Sequence, residues 1–564
     1  MVRLSLLLTL LASTGLQLPV TAFASSTPTL SSASSLRSLR QHKNDRYTAL
    51  PASKSLRRDS RLHATLAFPR GGAVAAAVAL NKERSLSSPA ATLLANLSQW
   101  NQNPHALFNS TLLALALLIS LAKILPRLVA AVSKSNSNDT TATTEPETKK
   151  PAAIQSLQRR FLAVFWLLRC SDWLQGPYFY EVYASKILRG GAQASMSLVS
   201  KLFLTGFAST ALFGPSIGRA ADAYGRKKAT MAFSVIYALG ALSTKSLLLQ
   251  VLFLGRILSG IGTSLLFSAP ESWLVGAVQK SGEDPTGKYL GETFGLAYAG
   301  DSLVAITAGQ LAAAAATRRG PTGPFELSTV FLALGGLLAA FLWKENVAEM
   351  KDDEKPSIKE AIEVIKKDPK IMLVGGVQSL FEAAMYIFVL QWPPAVSAAI
   401  AKAFGDGAAA TPYGTVFSCF MACCLLGSTL FSNLAKKGVP TESSAAGMLT
   451  VATLAMTAAT LTVSRSMNLA GIVASFFAFE ACVGMYFPSI GTLRSKYVPD
   501  SHRSVIMNLF GIPLNVLVVS VFLSIQKLGV KGALSVSSGA LGVATLCMFT
   551  LKRMIAKEAK EALA

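Results

Sequence analysis

From about residue 160 the chain alternates long apolar runs with short polar breaks. Apolar runs fall near 160–180, 197–217, 229–247, 249–270, 290–315 and 327–343. The charged stretch KENVAEMKDDEKPSIKEAIEVIKKDPK follows at 344–370, and six more runs follow near 371–395, 411–433, 444–464, 468–490, 504–526 and 532–551. Each run is about 20 residues, the length a helix needs to cross a hydrocarbon core of roughly 30 Å. The pattern predicts an all-α polytopic membrane protein with 12 transmembrane helices in two six-helix halves, each read as a repeat. The expected boundaries are 159–343 for the N-terminal bundle, 344–370 for a charged cytosolic-side loop, 371–551 for the C-terminal bundle and 552–564 for a basic tail.

Upstream, ALFNSTLLALALLISLAKILPRLVAA (106–131) is long and apolar enough for one extra hydrophobic helix, although Lys123, Pro126 and Arg127 interrupt its second half. A polar, Ser/Thr/Asn-rich linker covers 132–158. Residues 1–23 form a signal-like segment with one positive charge and an apolar core. Residues 24–90 are rich in Ser, Ala and Arg and poor in acids, as in a disordered transit-like segment. Together they resemble a bipartite plastid presequence; a signal anchor followed by a disordered tail is the other reading. The expected location is a plasma membrane or a plastid envelope.

Composition agrees with a membrane protein. The chain is 51% hydrophobic and only 15% charged, against about 25% charged in soluble domains. A net charge of +23 would point to nucleic acid in a soluble protein. Here the positive residues gather in short loops, where they set topology, so no nucleic acid partner is expected. One side holds Arg226, Lys227, Lys228, Lys280, Lys288, the 344–370 loop, Lys436, Lys437, Arg494, Lys496, Arg503, Lys552 and Arg553. The other holds scattered charges such as Lys186, Arg189, Lys245, Arg318, Arg319 and Arg465. The first side, called the basic face below, is expected to meet the cytosol, or the stroma in a plastid. The six cysteines lie in or beside apolar runs without metal-ligand spacing and read as small core residues. With no nucleophile–base pair and no phosphate-cradling loop, no enzyme activity, cofactor or metal is expected.

Between the second and third runs stands GRAADAYGRKK (218–228). Its Gly218, Asp222, Gly225, Arg226, Lys227 and Lys228 resemble the signature loop of the major facilitator superfamily. In that reading the glycines allow a tight turn and close packing, Asp222 caps the next helix or pairs with a basic group, and the cluster acts in conformational change. Ala223 departs from the pattern, which usually has a basic residue there. A second stretch, GRILSGIG (255–262), resembles the superfamily's fourth-helix motif. More narrowly, SDWLQGPYFY (171–180), GFASTALFG (206–214), GRILSGIGTSLLFSAPESW (255–273), SLFEAAMYIFVLQWPP (379–394), FSCFMACCLLGS (417–428) and FEACVGMYFPSIGTLRSKYVP (479–499) resemble the molybdate-anion transporter family, a branch of that superfamily. The resemblance covers about 160–550. Gly511 stands where that family usually has an Arg.

The resemblance implies a secondary active transporter of molybdate working by alternating access, without covalent catalysis. Molybdate is a tetrahedral dianion, so its site needs positive charge and many donors. Arg256 offers a fixed charge and five donors; an ion pair with Asp172 or Glu271 is its alternative role. Gln175, Tyr178, Tyr180, Gln378, Tyr386 and Asn508 are candidate neutral donors. Asp172, Glu181, Glu271, Asp301, Glu382 and Glu480 are carboxylates in or near spans that could carry protons, with packed ion pairs or helix ends as the other reading. The expected partners are molybdate or a similar oxyanion, the lipid bilayer and a coupling proton, and a monomer is expected. Another oxyanion such as sulfate, an organic solute, or a non-transporting receptor on the same fold stand as alternatives.

Overall fold

The computed structural model describes residues 103–136, 150–189, 191, 193–284, 288–347, 358–405, 410–499 and 503–563. The signal-like and transit-like segments therefore lie outside the described residues.

The described chain is helical nearly throughout. Helix α1 is Pro104–Asn136. The first half contains α2 (Ala152–Gln175), a 3₁₀ turn with α3 (Phe179–Ala184), α4 (Met196–Tyr224), α5 (Arg226–Ser243), α6 (Leu249–Leu266), α7 (Ala269–Ser281), α8 (Lys288–Arg319) and α9 (Gly323–Leu342). A connector helix α10 (Ile358–Lys367) leads to the second half: α11 (Pro369–Phe404), α12 (Tyr413–Lys436), α13 (Thr441–Arg465), α14 (Leu469–Tyr497), α15 (Arg503–Leu523) and α16 (Ile525–Leu563). Short polar side chains start several helices. Ser195 accepts from the Leu198 N–H at the head of α4, and Asn468 accepts from Gly471 at the head of α14.

Among the described residues, nine stretches are long and apolar enough to cross a membrane, and the stretch Tyr289–Leu342 holds both α8 and α9. Helices α2, α5 and α15 complete the two sets of six. They fall short by composition or length for visible reasons: α2 contains Arg159, Arg160, Arg169 and Asp172, α5 opens on Arg-Lys-Lys, and the apolar part of α15 is only Leu509–Leu523. Within the first half α9 lies against α2 and α5, while α4 and α5 lie against α6. Within the second, α11 lies against α15 and α16, and α12 and α13 against α14. The halves join where α8 meets α12 and where α4 meets α15. Each half has an aromatic core. In the first, Trp273 stacks on Trp343 at 4.0 Å and Phe161 on Phe165 at 5.3 Å. In the second, Phe381 stacks on Tyr486 at 4.0 Å, and Phe388 meets Phe476 at 4.9 Å.

Several boundaries differ from those the apolar pattern predicts. The run 249–270 is two helices, α6 and α7, broken at Phe267 and Ser268 where Pro270 forces a new start. The 344–370 loop contains α10, whose Ala361 packs with Ile371, Val498, Ile506 and Phe510 of the second half. Helix α11 continues through Pro393 and Pro394 to Phe404, well past residue 395. The basic tail is the last part of α16, a helix bent by non-helical backbone at Gly529 (φ 58). The extra segment is longer than 106–131. Its start lies against the start of α12, where Phe108 is buried and its carbonyl accepts from the Cys419 thiol at 3.6 Å.

Candidate functional site

The strongest polar cluster in the first half is built around Arg169, a residue the sequence reading did not single out. Arg169 lies one helical turn before Asp172 on α2 and is 8% exposed. Its Nε and Nη2 donate to the two carboxylate oxygens of Asp301 on α8 at 3.0 and 2.9 Å, a bidentate pair. The Trp173 indole N–H adds a third donor to Asp301 at 2.8 Å. Nη1 faces Asp172 at 3.6 Å, too far for a hydrogen bond, and has no hydrogen-bond partner. Asp172 instead accepts from the Tyr237 hydroxyl of α5 at 2.6 Å. The rings of Trp173 and Phe267 flank the guanidinium at 4.9 and 5.2 Å, an arrangement that favours a cation. A signal for this group was present: an Arg and an Asp three residues apart inside the apolar run FWLLRCSDW fall on one helix face.

Arg256 occupies a different setting. Its guanidinium lies 4.6 Å over the Phe179 ring, its Nε points to the Leu202 carbonyl at 3.4 Å, and it lies within electrostatic reach of the buried Tyr183 hydroxyl. Gly206 makes room for it, since a Cβ there would sit 2.4 Å from Nη2. Neither carboxylate considered as its partner reaches it. Asp172 turns to Arg169 and Tyr237, and Glu271 accepts from the Tyr298 hydroxyl. Among the described residues no carboxylate forms an ion pair with Arg256.

In the second half, Glu382 of α11 accepts from Tyr486 at 2.9 Å, and Gln378 stands one turn earlier on the same helix. The amide oxygen of Gln378, Oε1, is buried without a partner. Tyr386, a further turn along, meets Phe207 of the first half at 4.9 Å. Glu480 is set apart. It is 6% exposed, lies near Cys423 and Cys424 of α12, and makes no hydrogen bond or ion pair among the described residues. The helices touch backbone to backbone beside it: a Cβ on Gly484 would sit 1.8 Å from the Cys424 carbonyl oxygen.

Gln175 and Tyr178 both contact neighbouring helices. Gln175 is buried and donates to Ser328 of α9 at 2.9 Å, and Ser328 donates to the Ser171 carbonyl. Tyr178 packs edge-on against Tyr413 of α12 at 5.8 Å. Tyr413 also donates to Glu181 at 3.2 Å. With Phe203 on Phe522 at 5.1 Å, these contacts join the two halves at the face opposite the basic loops, called the far face. Below them, Gly309 and Gly414 let α8 and α12 meet, and Ser418 of α12 donates to the Ile306 carbonyl at 2.8 Å. The Asn508 side chain lies outside the described part of α15. Gly511 has open surroundings, its nearest neighbour to an added Cβ being Asn515 at 3.8 Å.

The signature loop is a tight junction of α4 and α5. Gly225 adopts φ 117 and closes against Glu345, whose carboxyl carbon would lie 2.5 Å from a Cβ there. Glu345 accepts from the backbone N–H of Lys227 at 2.9 Å and of Lys228 at 3.1 Å. The carboxylate seen to cap α5 is thus Glu345 of the connector, the role expected of Asp222, whose side chain lies outside the description. Lys227 extends to the Ala340 carbonyl at the end of α9 at 2.6 Å. Arg226 packs over Gly276 of α7, where a Cβ would meet its Nη1 at 2.5 Å. Gly218, expected to permit close packing, has nothing within 4 Å of an added Cβ. Sequence reasoning missed Glu345 because it lies more than a hundred residues away, in a stretch whose many charges look alike.

Residues 125–485 match the family MFS_5, described as sugar transporters with 12 transmembrane segments. Curated proteins named molybdate-anion transporter are similar. One from Xenopus tropicalis is 27% identical over 417 residues, covering 72% of this chain and 88% of its own. One from Takifugu rubripes is 29% identical over 393 residues, covering 65% and 78%. Among solved structures, a mutant of the nucleoside transporter NupG aligns with TM-score 0.54 at 12% identity, over 71% of this chain and 99% of its own. An auto-inhibited peptide transporter of the POT family aligns with TM-score 0.52 at 12% identity, over 71% and 96%. At such identities the structures speak for the fold alone.

Proposed function

The chain belongs to the twelve-span transporter family MFS_5, within the major facilitator superfamily, and on that footing we propose that it is a secondary active transporter carrying molybdate by alternating access. The observation that carries the anion reading is Arg256, a membrane-embedded guanidinium with no carboxylate to neutralise it among the described residues. Such a charge is costly within the bilayer unless a cavity or an anion meets it. A neutral sugar would leave that cost standing, whereas an oxyanion removes it through charge-assisted hydrogen bonds. The names of the similar proteins from Xenopus tropicalis and Takifugu rubripes support molybdate as the anion.

Contacts at the far face support a state closed there and open toward the basic loops. Phe267 and Tyr298, beside the buried Arg169, are 58% and 50% exposed, as that open state would require. Substrate would be held between the halves, near Arg256 in the first and near Gln378 and Glu382 in the second, and the halves would rock about the α8–α12 and α4–α15 contacts. A proton moving with the anion would supply the driving force. The transporter acts as a monomer in a plasma membrane or plastid envelope, the address its N-terminal segments support.

The test is uptake of labelled molybdate by cells expressing the chain. Wild type is expected to take it up, with excess unlabelled molybdate competing and glucose not competing. Arg256→Ala is expected to abolish uptake while reaching the membrane at wild-type levels. Background uptake by wild type, or full uptake by Arg256→Ala, would overturn the reading.

A further inference from the structure

The Arg169 cluster does not balance its charges. Arg169 contributes one positive charge, while Asp172 and Asp301 contribute two negative charges when both are ionised. A net charge buried in a membrane domain is expensive. The two carboxylates are not equivalent. Asp301 accepts three hydrogen bonds, two from Arg169 and one from Trp173, and so is fully committed as an anion. Asp172 receives one, from the Tyr237 hydroxyl, and faces Arg169 only across 3.6 Å. Arg169 Nη1 is meanwhile a buried N–H donor without an acceptor. A donor left unpaired in a buried site carries a desolvation cost that a ligand can relieve.

We propose that Arg169 is a second oxyanion-binding group and that a proton on Asp172 gates it. When Asp172 takes a proton from water, the cluster becomes neutral and the negative charge that faces Nη1 across 3.6 Å is removed. The guanidinium, still held by Asp301, then presents Nη1 to the oxyanion. When the proton leaves to water on the other side, the restored carboxylate, 3.6 Å from Nη1, repels the dianion. Proton and anion thereby move together. The inference rests on the molybdate-transport reading and supplies its coupling residue.

The surroundings allow this exchange. On α8, Tyr298 faces the cluster and is held by Glu271 of α7. On α5, Tyr237 touches Asp172 and also lies within electrostatic reach of Arg256 on α6. Helix α9 turns the Ser328 hydroxyl inward, while its Glu326 is held by Lys245 and Arg319. The cluster also reaches the junction of the halves, because Trp173 packs on Phe417 of α12 at 5.9 Å. A change at Arg169 is thus one ring away from the surface on which the halves move.

The experiment uses the full chain in sealed proteoliposomes with labelled molybdate. Two modes are compared, accumulation driven by an imposed pH gradient and counterflow exchange without one. Wild type is expected to accumulate molybdate when the gradient is imposed. Asp172→Asn, whose side chain cannot exchange a proton, is expected to lose gradient-driven accumulation while counterflow persists; Asp172→Glu is expected to restore accumulation. Tyr237→Phe keeps the carboxylate and removes its one donor, which favours the charged form; the pH profile of uptake is expected to move to higher pH. This variant also decides the matter if Asp172→Asn does not fold. Accumulation by Asp172→Asn with the wild-type pH dependence, or a Tyr237→Phe profile that does not move, would overturn the proposal. Wild-type uptake indifferent to the pH gradient would overturn the proposal and leave molybdate transport standing, whereas no wild-type molybdate flux in either mode would overturn the transport reading beneath it.

Discussion

Glu345 shows how one side chain can organise a junction that sequence assigns to other residues. At the head of α5 the first backbone N–H groups have no helical acceptor. Glu345 takes those of Lys227 and Lys228, and its negative charge lies at the positive end of the helix dipole. Glu345→Ala is expected to cost about 0.5–2 kcal/mol, the usual price of a lost N-terminal cap. Thermal unfolding of the detergent-solubilised protein should register it as a lower midpoint, and Glu345→Asp should lose part of the same stability because its shorter side chain reaches only one N–H well. Legibility at this scale followed chain distance. Gly225, Lys227 and Lys228 stand in one short motif whose spacing shows a turn. Asp172 stands one turn from Arg169, and that pair was open to reading as well. Asp301 and Glu345 reach their partners across more than a hundred residues, and no local pattern records such a pairing.

At the scale of elements, backbone contact controls how the halves can move. Gly309 and Gly414 let α8 and α12 approach until a Cβ on Gly414 would sit 2.2 Å from the Gly309 carbonyl oxygen and 2.8 Å from the Ala313 nitrogen. Ser418, one turn further along α12, then reaches the Ile306 carbonyl and accepts from Gln310 at 3.1 Å. Gly414→Ala is expected to push the helices apart, break the Ser418 bonds and cost about 1–3 kcal/mol of packing. Molybdate uptake should fall as the far face loses its closure, measured beside Gly447→Ala, a site with nothing within 4 Å of an added Cβ. The apolar runs located the helices well, because a span must be long and apolar whatever it packs against. Their ends were less legible. Helix α11 passes through two prolines because its Trp392 and Phe388 are gripped by Phe420 and Phe476, and α16 continues beyond the apolar region where Lys370 pairs with Glu558. Those restraints belong to tertiary packing, which local composition does not contain.

For the whole molecule, the extra helix α1 bears on how many times the described chain is expected to cross the bilayer. Helices α2 and α16 begin and end on the basic face, as two sets of six spans require. The start of α1 instead lies beside the start of α12, at the far face, with Phe108 against Cys419. The stretch Pro104–Lys123 is 20 residues and apolar enough to span, and a helix that long covers roughly 30 Å. Running from the far face it would arrive at the basic face, the side on which α2 begins. On that reading the described residues make thirteen crossings, and Asn103, at the head of α1, is expected to lie on the opposite side of the membrane from α10. Single-cysteine labelling tests this with the exposed positions Asn103 and Lys359. In intact cells carrying the transporter in the plasma membrane, Asn103→Cys should react with an impermeant maleimide, and Lys359→Cys should react only after permeabilisation. The native cysteines give little background because Cys170, Cys419, Cys423 and Cys482 are buried and the other two are partly so. Labelling of Asn103→Cys only after permeabilisation would place α1 along the basic surface rather than across the bilayer. The Phe108–Cys419 contact argues against that outcome, since it fixes the head of α1 beside a helix start that the far-face contacts of Tyr413 place on the other side.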